Sequence, residues 1–144
     1  MKSKLWLKYF IYILLILAWI SFEGYIEGRF RVDFNRNFRI NVDFYALVIL
    51  INVGMGLLLG AEHLINEIKK EGNWKINLPK IILIVLPSLY FSLTYYFLYN
   101  TNQFVQKILT YPFVALFKNG TTFISTFQLI VGYMLITSFY KQKT

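Results

Sequence analysis

The chain has 144 residues, of which 57% are hydrophobic, 19% aromatic and only 15% charged, and its mean hydropathy is +0.51. Soluble domains are typically about 45–50% apolar and about 25% charged, so this composition excludes an ordinary soluble domain, a disordered chain and a disulfide-stabilised scaffold. The net charge of +8 comes from basic residues between apolar stretches, where they typically contact lipid headgroups, so we expect membrane lipids rather than nucleic acid as partners.

Four apolar stretches of 18 residues each predict four transmembrane helices, at residues 5–22, 44–61, 81–98 and 122–139. At 1.5 Å per residue, such a helix is close to the hydrocarbon thickness of a bilayer, about 30 Å. A chain in lipid must satisfy its backbone hydrogen bonds internally, so these stretches are expected to be helical. The sequence therefore predicts an all-α integral membrane protein, with residues 1–144 forming a single four-helix membrane domain.

The distribution of Lys and Arg predicts the orientation of these helices, because cytoplasmic loops carry an excess of basic residues. With a cytoplasmic N-terminus, the inner side holds nine: Lys2, Lys4, Lys8, Lys69, Lys70, Lys75, Lys80, Lys141 and Lys143. The outer side then holds six: Arg29, Arg31, Arg36, Arg39, Lys107 and Lys118. We therefore expect a multi-pass protein of the cell membrane with cytoplasmic N- and C-termini.

Glu23 and Glu27 lie four residues apart where the first predicted span ends. Paired carboxylates can bind a cation or share a proton. Because Arg29 and Arg31 follow closely enough to neutralise both carboxylates, we expect an ion-pair cluster at this position.

The loop at residues 29–43 alternates apolar and polar residues on both sides of a polar turn, which is typical of a β-hairpin. In the register centred on Arg36, apolar side chains oppose one another and Asp33 opposes Arg39. The predicted extracytoplasmic hairpin has an apolar interaction face made of Phe30, Val32, Phe34, Phe38, Ile40 and Val42. An isolated hairpin is marginally stable in water, so this face needs cover. It either closes over the helices as a lid or docks another protein through its free strand edges.

The second span contains Gly56 and Gly60, a spacing that lets two helix backbones approach closely. We assign both glycines to helix packing, either against another span or against a second copy of the chain. The span continues as a polar helix that contains Glu62 and His63. One His beside one Glu is at most half of a zinc site, so no metal site and no other cofactor is predicted.

Polar residues also share faces within the spans. Ser88, Ser92 and Tyr95 lie on one face of the third span, and the fourth span has a matching stripe. These groups either hydrogen-bond to one another between helices or form a hydrated path for a substrate. The residues of this candidate polar path are Asn52, Ser88, Ser92, Tyr95, Ser125 and Gln128.

Residues 102–111 have apolar side chains at helical spacing and polar side chains opposite them. This pattern predicts a short amphipathic helix that lies in the outer membrane interface. We expect Pro112 to end it.

The sequence shows no nucleophile–base motif, no metal-binding motif and no phosphate-binding glycine loop, so we expect that the protein is not an enzyme. The leading hypothesis is a non-enzymatic accessory or interaction subunit of a membrane complex, bound to another membrane protein or to a second copy of itself. A small oligomeric channel or transporter, which uses the polar faces of spans three and four, is the second hypothesis. An immunity-type membrane protein is the third.

Overall fold

The computed structural model describes residues 2–143 as a mostly helical chain with one two-stranded sheet. In chain order the elements are α1 (Lys2–Asn37), α2 (Val42–Ile68), β1 (Asn73–Ile76), α3 (Leu78–Ser92), α4 (Thr94–Leu98), α5 (Val105–Leu109), α6 (Tyr111–Phe117), α7 (Thr122–Ile136) and β2 (Phe139–Gln142). Two of these helices, α1 and α2, are long and apolar enough to cross a membrane. The apolar helices α3 and α7 are shorter.

The β-hairpin predicted at residues 29–43 is wrong, because α1 continues through this segment to Asn37. Extending a helix that has already formed adds one backbone hydrogen bond per ordered residue, whereas an isolated hairpin is marginally stable. The side-chain amide of Asn37 donates to Asp33 Oδ1 at 2.9 Å and supports the last turn. The helix ends where Phe38 adopts a positive φ of 49°.

The apolar face predicted for that hairpin is divided between two environments. Phe30 and Phe34 lie four residues apart on one side of α1. The Phe30 ring stacks on Phe44 of α2, and the Phe34 ring meets Tyr99 edge to face. A spacing of four residues fits one face of a helix as well as one face of a strand, so the alternating apolar residues of this segment are also compatible with a helix. The remaining residues of the predicted face are the exposed Val32, Phe38 and Val42 and the half-buried Ile40.

The third predicted span, residues 81–98, is not one continuous helix. Pro87 lacks a backbone N–H, and the turns that precede it widen into a π-helix at Ile81–Val85. Leu93, at φ −92° and ψ 14°, then separates α3 from α4.

The chain after α4 forms shorter helices than predicted. The stretch at residues 122–139 is helical only in α7, which ends at Ile136. The amphipathic helix predicted at residues 102–111 corresponds to α5, which ends one residue before Thr110, and α6 follows at once. Pro112 lies in the first turn of α6, where its missing N–H costs no helical hydrogen bond.

Helices α2 and α7 form the packed centre of the fold, and glycines let their backbones meet. A Cβ atom on Gly56 would lie 2.7 Å from Tyr133 N, and one on Gly132 would lie 2.9 Å from Leu57 N. Gly60 faces α7 as well, near the end of that helix. Both glycines assigned to helix packing therefore pack within this chain in the structure.

Strands β1 and β2 pair antiparallel, with Ile76 opposite Phe139. This pairing places the end of α2 and the C-terminal strand at one end of the molecule. The start of α1 lies there too, because Lys8 Nζ is 3.0 Å from Glu62 Oε1. We call this the sheet end, and the opposite end, which holds residues 38–41, α5 and α6, the loop end.

Candidate functional site

A cavity of about 260 Å³ lies towards the loop end, among α1, α2, α4 and α7. This volume leaves room for several water molecules, since one water molecule takes up about 30 Å³ in the liquid. Its walls are aromatic on one side and polar on the other. The residues that matter for its chemistry are Glu27, Arg31, Tyr45, Asn52, Tyr95 and Gln128.

A buried hydrogen-bond network forms the polar wall of this cavity. The backbone oxygen of Ser92 accepts from Gln128 Nε2 at 3.2 Å and from the Tyr45 hydroxyl at 2.6 Å. Gln128 Oε1 in turn accepts from Asn52 Nδ2 at 2.5 Å. The exposed fractions of Asn52, Gln128 and Ser92 are 2%, 1% and 0%. Three helices are thus joined through one chain of polar contacts.

The order of these hydrogen bonds fixes how both amides are turned. The Ser92 carbonyl can only accept, so Gln128 must direct its NH₂ group towards Ser92 and its oxygen towards Asn52. Asn52 must then present its own NH₂ group to Gln128. Asn52 Oδ1 is left buried without a hydrogen-bond partner among residues 2–143. Such an unpaired buried acceptor costs about 1–3 kcal/mol.

Glu27 supplies the negative charge of the site. Its Oε1 lies 3.4 Å from Asn52 Nδ2, and the side chain is half-buried against the cavity. In the described part of the chain no basic group lies within 4.0 Å of its carboxylate. The ion-pair cluster expected from the sequence is therefore not formed. Arg29 instead donates to the Tyr25 hydroxyl at 2.8 Å, while Arg31 lines the cavity and is exposed.

The structure places the residues of the candidate polar path in three ways. Asn52, Ser92 and Gln128 belong to the buried network, although Ser92 contributes its carbonyl and its hydroxyl bonds to Leu89 O at 2.7 Å. The cavity is also lined by Tyr95 and Ser125. Ser88 is buried one turn before Ser92 and does not line the cavity.

Three residues of the site, Glu27, Arg31 and Tyr45, were not predicted as members of the polar path. Glu27 reaches Asn52 because α1 stays helical beyond the first apolar stretch and holds the carboxylate over the cavity. Sequence patterns cannot predict the hydrogen bond of the Tyr45 hydroxyl, because its acceptor is a backbone carbonyl 47 residues away.

The sheet end carries a separate group of polar contacts. Glu62 accepts hydrogen bonds from Lys8 at 3.0 Å and from the Tyr9 hydroxyl at 3.1 Å. His63 Nε2 lies 3.1 Å from Phe139 O and therefore contacts β2. Over residues 2–143, no group of three or more His, Asp or Glu side chains is arranged to hold a metal ion.

Glu67 anchors the C-terminal strand to α2. Its Oε2 accepts from the backbone N–H of Lys141 at 2.8 Å, and its Oε1 pairs with Lys70. The Lys141 ammonium donates to the backbone oxygens of Ile68 and Lys70 at 2.9 Å each, which satisfies carbonyls at the end of α2. The Lys141 N–H and the Lys70 ammonium hold the pKa of Glu67, which lies beyond the apolar stretch 44–61, below its ordinary value.

Comparisons of the chain with protein-family models, with curated proteins and with solved structures found no match. Its function is therefore inferred from the cavity, the buried network and the surfaces of the helices.

Proposed function

We propose that the chain is an integral membrane protein that crosses the bilayer four times, with the sheet end in the cytoplasm. The support comes from the apolar surface. The most apolar 18-residue window of α1 has no buried residue, and an apolar surface of this kind is stable in lipid but not in water. The nine basic residues assigned to the inner side belong to the chain segments that lead into or form the sheet end. The six other basic residues belong to the segments near the loop end.

Single-cysteine labelling tests this orientation, and the chain offers a clean background because it contains no Cys. Lys118→Cys near α6 and Lys75→Cys in β1 both replace exposed lysines. A membrane-impermeant maleimide added to intact cells should label Lys118→Cys and should reach Lys75→Cys only after the cells are opened. Equal labelling of both variants in intact cells would contradict four crossings.

Within this topology, the function that the geometry supports best is the binding and passage of a small polar solute. The observation that carries it is the cavity of about 260 Å³, whose lining includes the amide side chains of Asn52 and Gln128 and the half-buried Glu27. Polar groups at membrane depth are costly and typically line a solute path or pair within a bundle. Here no basic group of the described residues lies within 4.0 Å of the Glu27 carboxylate, so this carboxylate can accept a hydrogen bond from a solute.

The irregular third span supports the same function. The interruption at Leu93 lies next to Ser92, whose carbonyl the network uses. Interrupted helices near the bilayer midplane are typical of transporter binding sites, because their free backbone groups contact the solute. Towards the sheet end the cavity is closed by the contact of α2 with α7 at Gly56 and Gly132. We therefore expect a solute to enter from the loop end.

Flux measurements in reconstituted vesicles test this function. Vesicles that contain the purified protein should take up glycerol, urea or small monovalent salts faster than empty vesicles. The double variant Asn52→Leu with Gln128→Leu should lose this uptake, because it removes the polar wall. Thr126→Val is the matched control, since Thr126 is exposed on the same helix and bonds only to Thr122 O. Uptake that is equal in both variants and in empty vesicles would disprove the proposal.

The accessory-subunit hypothesis is a second candidate, and the uncovered surface of α1 favours it. No residue in the most apolar window of this helix is buried, so a partner helix has room to pack there. Bifunctional cross-linking at Leu14→Cys, an exposed position in the middle of α1, tests self-association in native membranes. A cross-linked dimer would support self-association, and the control variant Gly24→Ala should leave this dimer intact. A strictly monomeric product would contradict self-association and would mean that α1 faces lipid.

A further inference from the structure

We propose that the loop-end cavity binds a small zwitterion, with its ammonium group at the Glu27 carboxylate and its anionic group at the Arg31 guanidinium. This proposal names the solute class of the cavity described above, and it rests on the proposed solute-binding function. Two kinds of molecule carry this chemistry, a free α-amino acid and a phosphoethanolamine lipid headgroup, and separate probes distinguish them.

Glu27 and Arg31 lie on the same face of α1. They are four residues apart in an unbroken helix, and both line the cavity. The Cβ atoms of residues with this spacing lie about 5–6 Å apart, so both side chains can reach one small solute. The two charges do not pair with each other, because no basic nitrogen of residues 2–143 lies within 4.0 Å of a Glu27 oxygen.

Both charged groups are free to accept a partner. Glu27 Oε1 lies 3.4 Å from Asn52 Nδ2, whereas Glu27 Oε2 makes no hydrogen bond in the described chain. This second oxygen is accessible, because the one buried side-chain atom without a partner among residues 2–143 is Asn52 Oδ1. Arg31 is exposed and forms no ion pair within the same residues. The cavity thus offers a negatively charged acceptor and a positively charged donor.

This combination of charges favours a zwitterion over a simple ion. A lone cation would be attracted by Glu27 but repelled by Arg31, and a lone anion would meet the opposite pair of forces. A zwitterion has no net charge, so it adds no unbalanced charge to a partly desolvated site. It can also form a charge-assisted hydrogen bond at each end, and a guanidinium group binds a carboxylate or phosphate through two parallel hydrogen bonds.

Other parts of the cavity lining suit both ends of a zwitterion. The rings of Tyr45 and Tyr95 meet edge to face at 5.5 Å, and Phe30 stacks on Tyr45 at 5.8 Å. All three residues line the cavity, and aromatic faces attract ammonium groups. Thr121 and Thr122 line it as well, at the start of α7. The N-terminal end of a helix is its positive end, which adds to the attraction of Arg31 for an anionic group.

Thermal unfolding of the purified protein in detergent micelles tests the site. Glycine and alanine, the smallest chargeable α-amino acids, are the free probes, and phosphoethanolamine is the headgroup probe. Methylammonium chloride and sodium acetate each carry only one of the two charges. A ligand that binds only the folded state raises the unfolding temperature in a saturable way, whereas an excluded osmolyte such as sucrose does not saturate. At least one zwitterion should bind at least about tenfold more tightly than either single-charge probe.

The zwitterion that binds identifies its source. Saturable stabilisation by glycine or alanine would identify the ligand as a free amino acid. Stabilisation by phosphoethanolamine alone, and by micelles doped with phosphatidylethanolamine rather than phosphatidylcholine, would identify it as a lipid headgroup.

Glutamine variants at the two charges give the decisive comparison. Glu27→Gln should abolish the advantage of the zwitterion over acetate, because the ammonium group loses its partner. Arg31→Gln should abolish its advantage over methylammonium, because the anionic group loses its partner. Each variant should lower the zwitterion affinity at least about tenfold. Glu23→Gln and Arg36→Gln make the same changes elsewhere on α1, outside the cavity lining, and should leave the affinity within about twofold.

The proposal is overturned if no zwitterion binds more tightly than methylammonium and acetate, or if Glu27→Gln and Arg31→Gln keep the affinity of the unmodified chain. The proposed function fails separately. Uptake of glycerol or urea that depends on Gln128, without zwitterion binding, would overturn the zwitterion site and leave the solute path. Zwitterion binding that depends on Glu27 and Arg31, in a protein without measurable flux, would keep the site and overturn the path.

Discussion

Gly132 and Val53 hold α7 and α2 in direct backbone contact. A Cβ atom on Gly132 would overlap the Val53 backbone oxygen and would also lie 2.9 Å from Leu57 N. Backbone atoms cannot move aside without shifting a whole helix. Gly132→Ala and Gly56→Ala should each lower the free energy of unfolding by about 1–3 kcal/mol, the usual cost of overpacking a tight contact. Unfolding in mixed micelles measures this loss.

Gly24→Ala is the matched control for both variants. Gly24 lies in α1, and a Cβ atom there would meet nothing within 4 Å. Alanine has the higher helix propensity by about 1 kcal/mol, so this variant should be neutral or slightly stabilising. A loss of stability as large as that of Gly132→Ala would show that the close contact is not the cause.

The buried network predicts a coupling between Asn52 and Gln128. The single variants Asn52→Leu and Gln128→Leu each leave a buried amide without its partner, whereas the double variant removes both groups. The double variant should therefore be more stable than the sum of the single effects by about 0.6–1.7 kcal/mol, the range of measured hydrogen bonds between membrane helices. A double-mutant cycle measures this coupling, and strict additivity would contradict the hydrogen bond at 2.5 Å.

The contacts of Glu67 predict a pH-dependent contribution to stability. Because its pKa lies below the ordinary value of 4.5, its contribution is fully present above that value and is lost as the pH falls through the lower pKa of the folded state. Glu67→Gln should therefore unfold at a lower temperature than the unmodified chain at pH 7. This difference should shrink at pH values well below 4.5.

Glu71→Gln is the control for this titration, because Glu71 is exposed at the same end of the molecule. It should unfold like the unmodified chain at both pH values. A temperature difference for Glu67→Gln that stays constant with pH would show that the charge of the carboxylate does not support β2.

The attachment of α1 depends on few polar contacts. Trp19 Nε1 donates to Ile51 O at 3.0 Å, and the Tyr12 hydroxyl donates to Leu58 O at 2.8 Å. Trp19→Phe should loosen the helix and reduce, by a few fold, the bis-maleimide cross-linking of Cys residues placed at Lys8 and Glu62. Trp6→Phe is the control, because the Trp6 side chain is 78% exposed. Unchanged cross-linking would contradict the role of the Trp19 contact.

Apolar stretches of the sequence predict the helical class of the fold, and they predict α1 and α2 as helices that are able to cross a membrane. They do not predict where α1 ends. The alternation at residues 29–43 fits a strand, but Phe30 and Phe34 also fit one face of a helix, and the rings packed on that face decide between the two. These rings come from other segments, so a local pattern cannot reveal them.

For the site, the sequence predicts polar residues on the facing sides of separate helices, and Asn52 and Gln128 do meet in the structure. It does not predict that Ser92 acts through its backbone carbonyl, because every residue has one. The pairing of β1 with β2 is also absent from the prediction. Each strand has only four residues, and residues 77–138 separate them.

That separation has a consequence for the order in which the molecule forms. Pairing β1 with β2 closes a loop through α3, α4, α5, α6 and α7, and the entropy lost on closure is offset only once those helices have turned back and docked. The hydrogen bond from the Lys141 N–H to Glu67, which joins β2 to α2, therefore forms late in folding. A chain in which this hydrogen bond is intact has already completed its helical assembly.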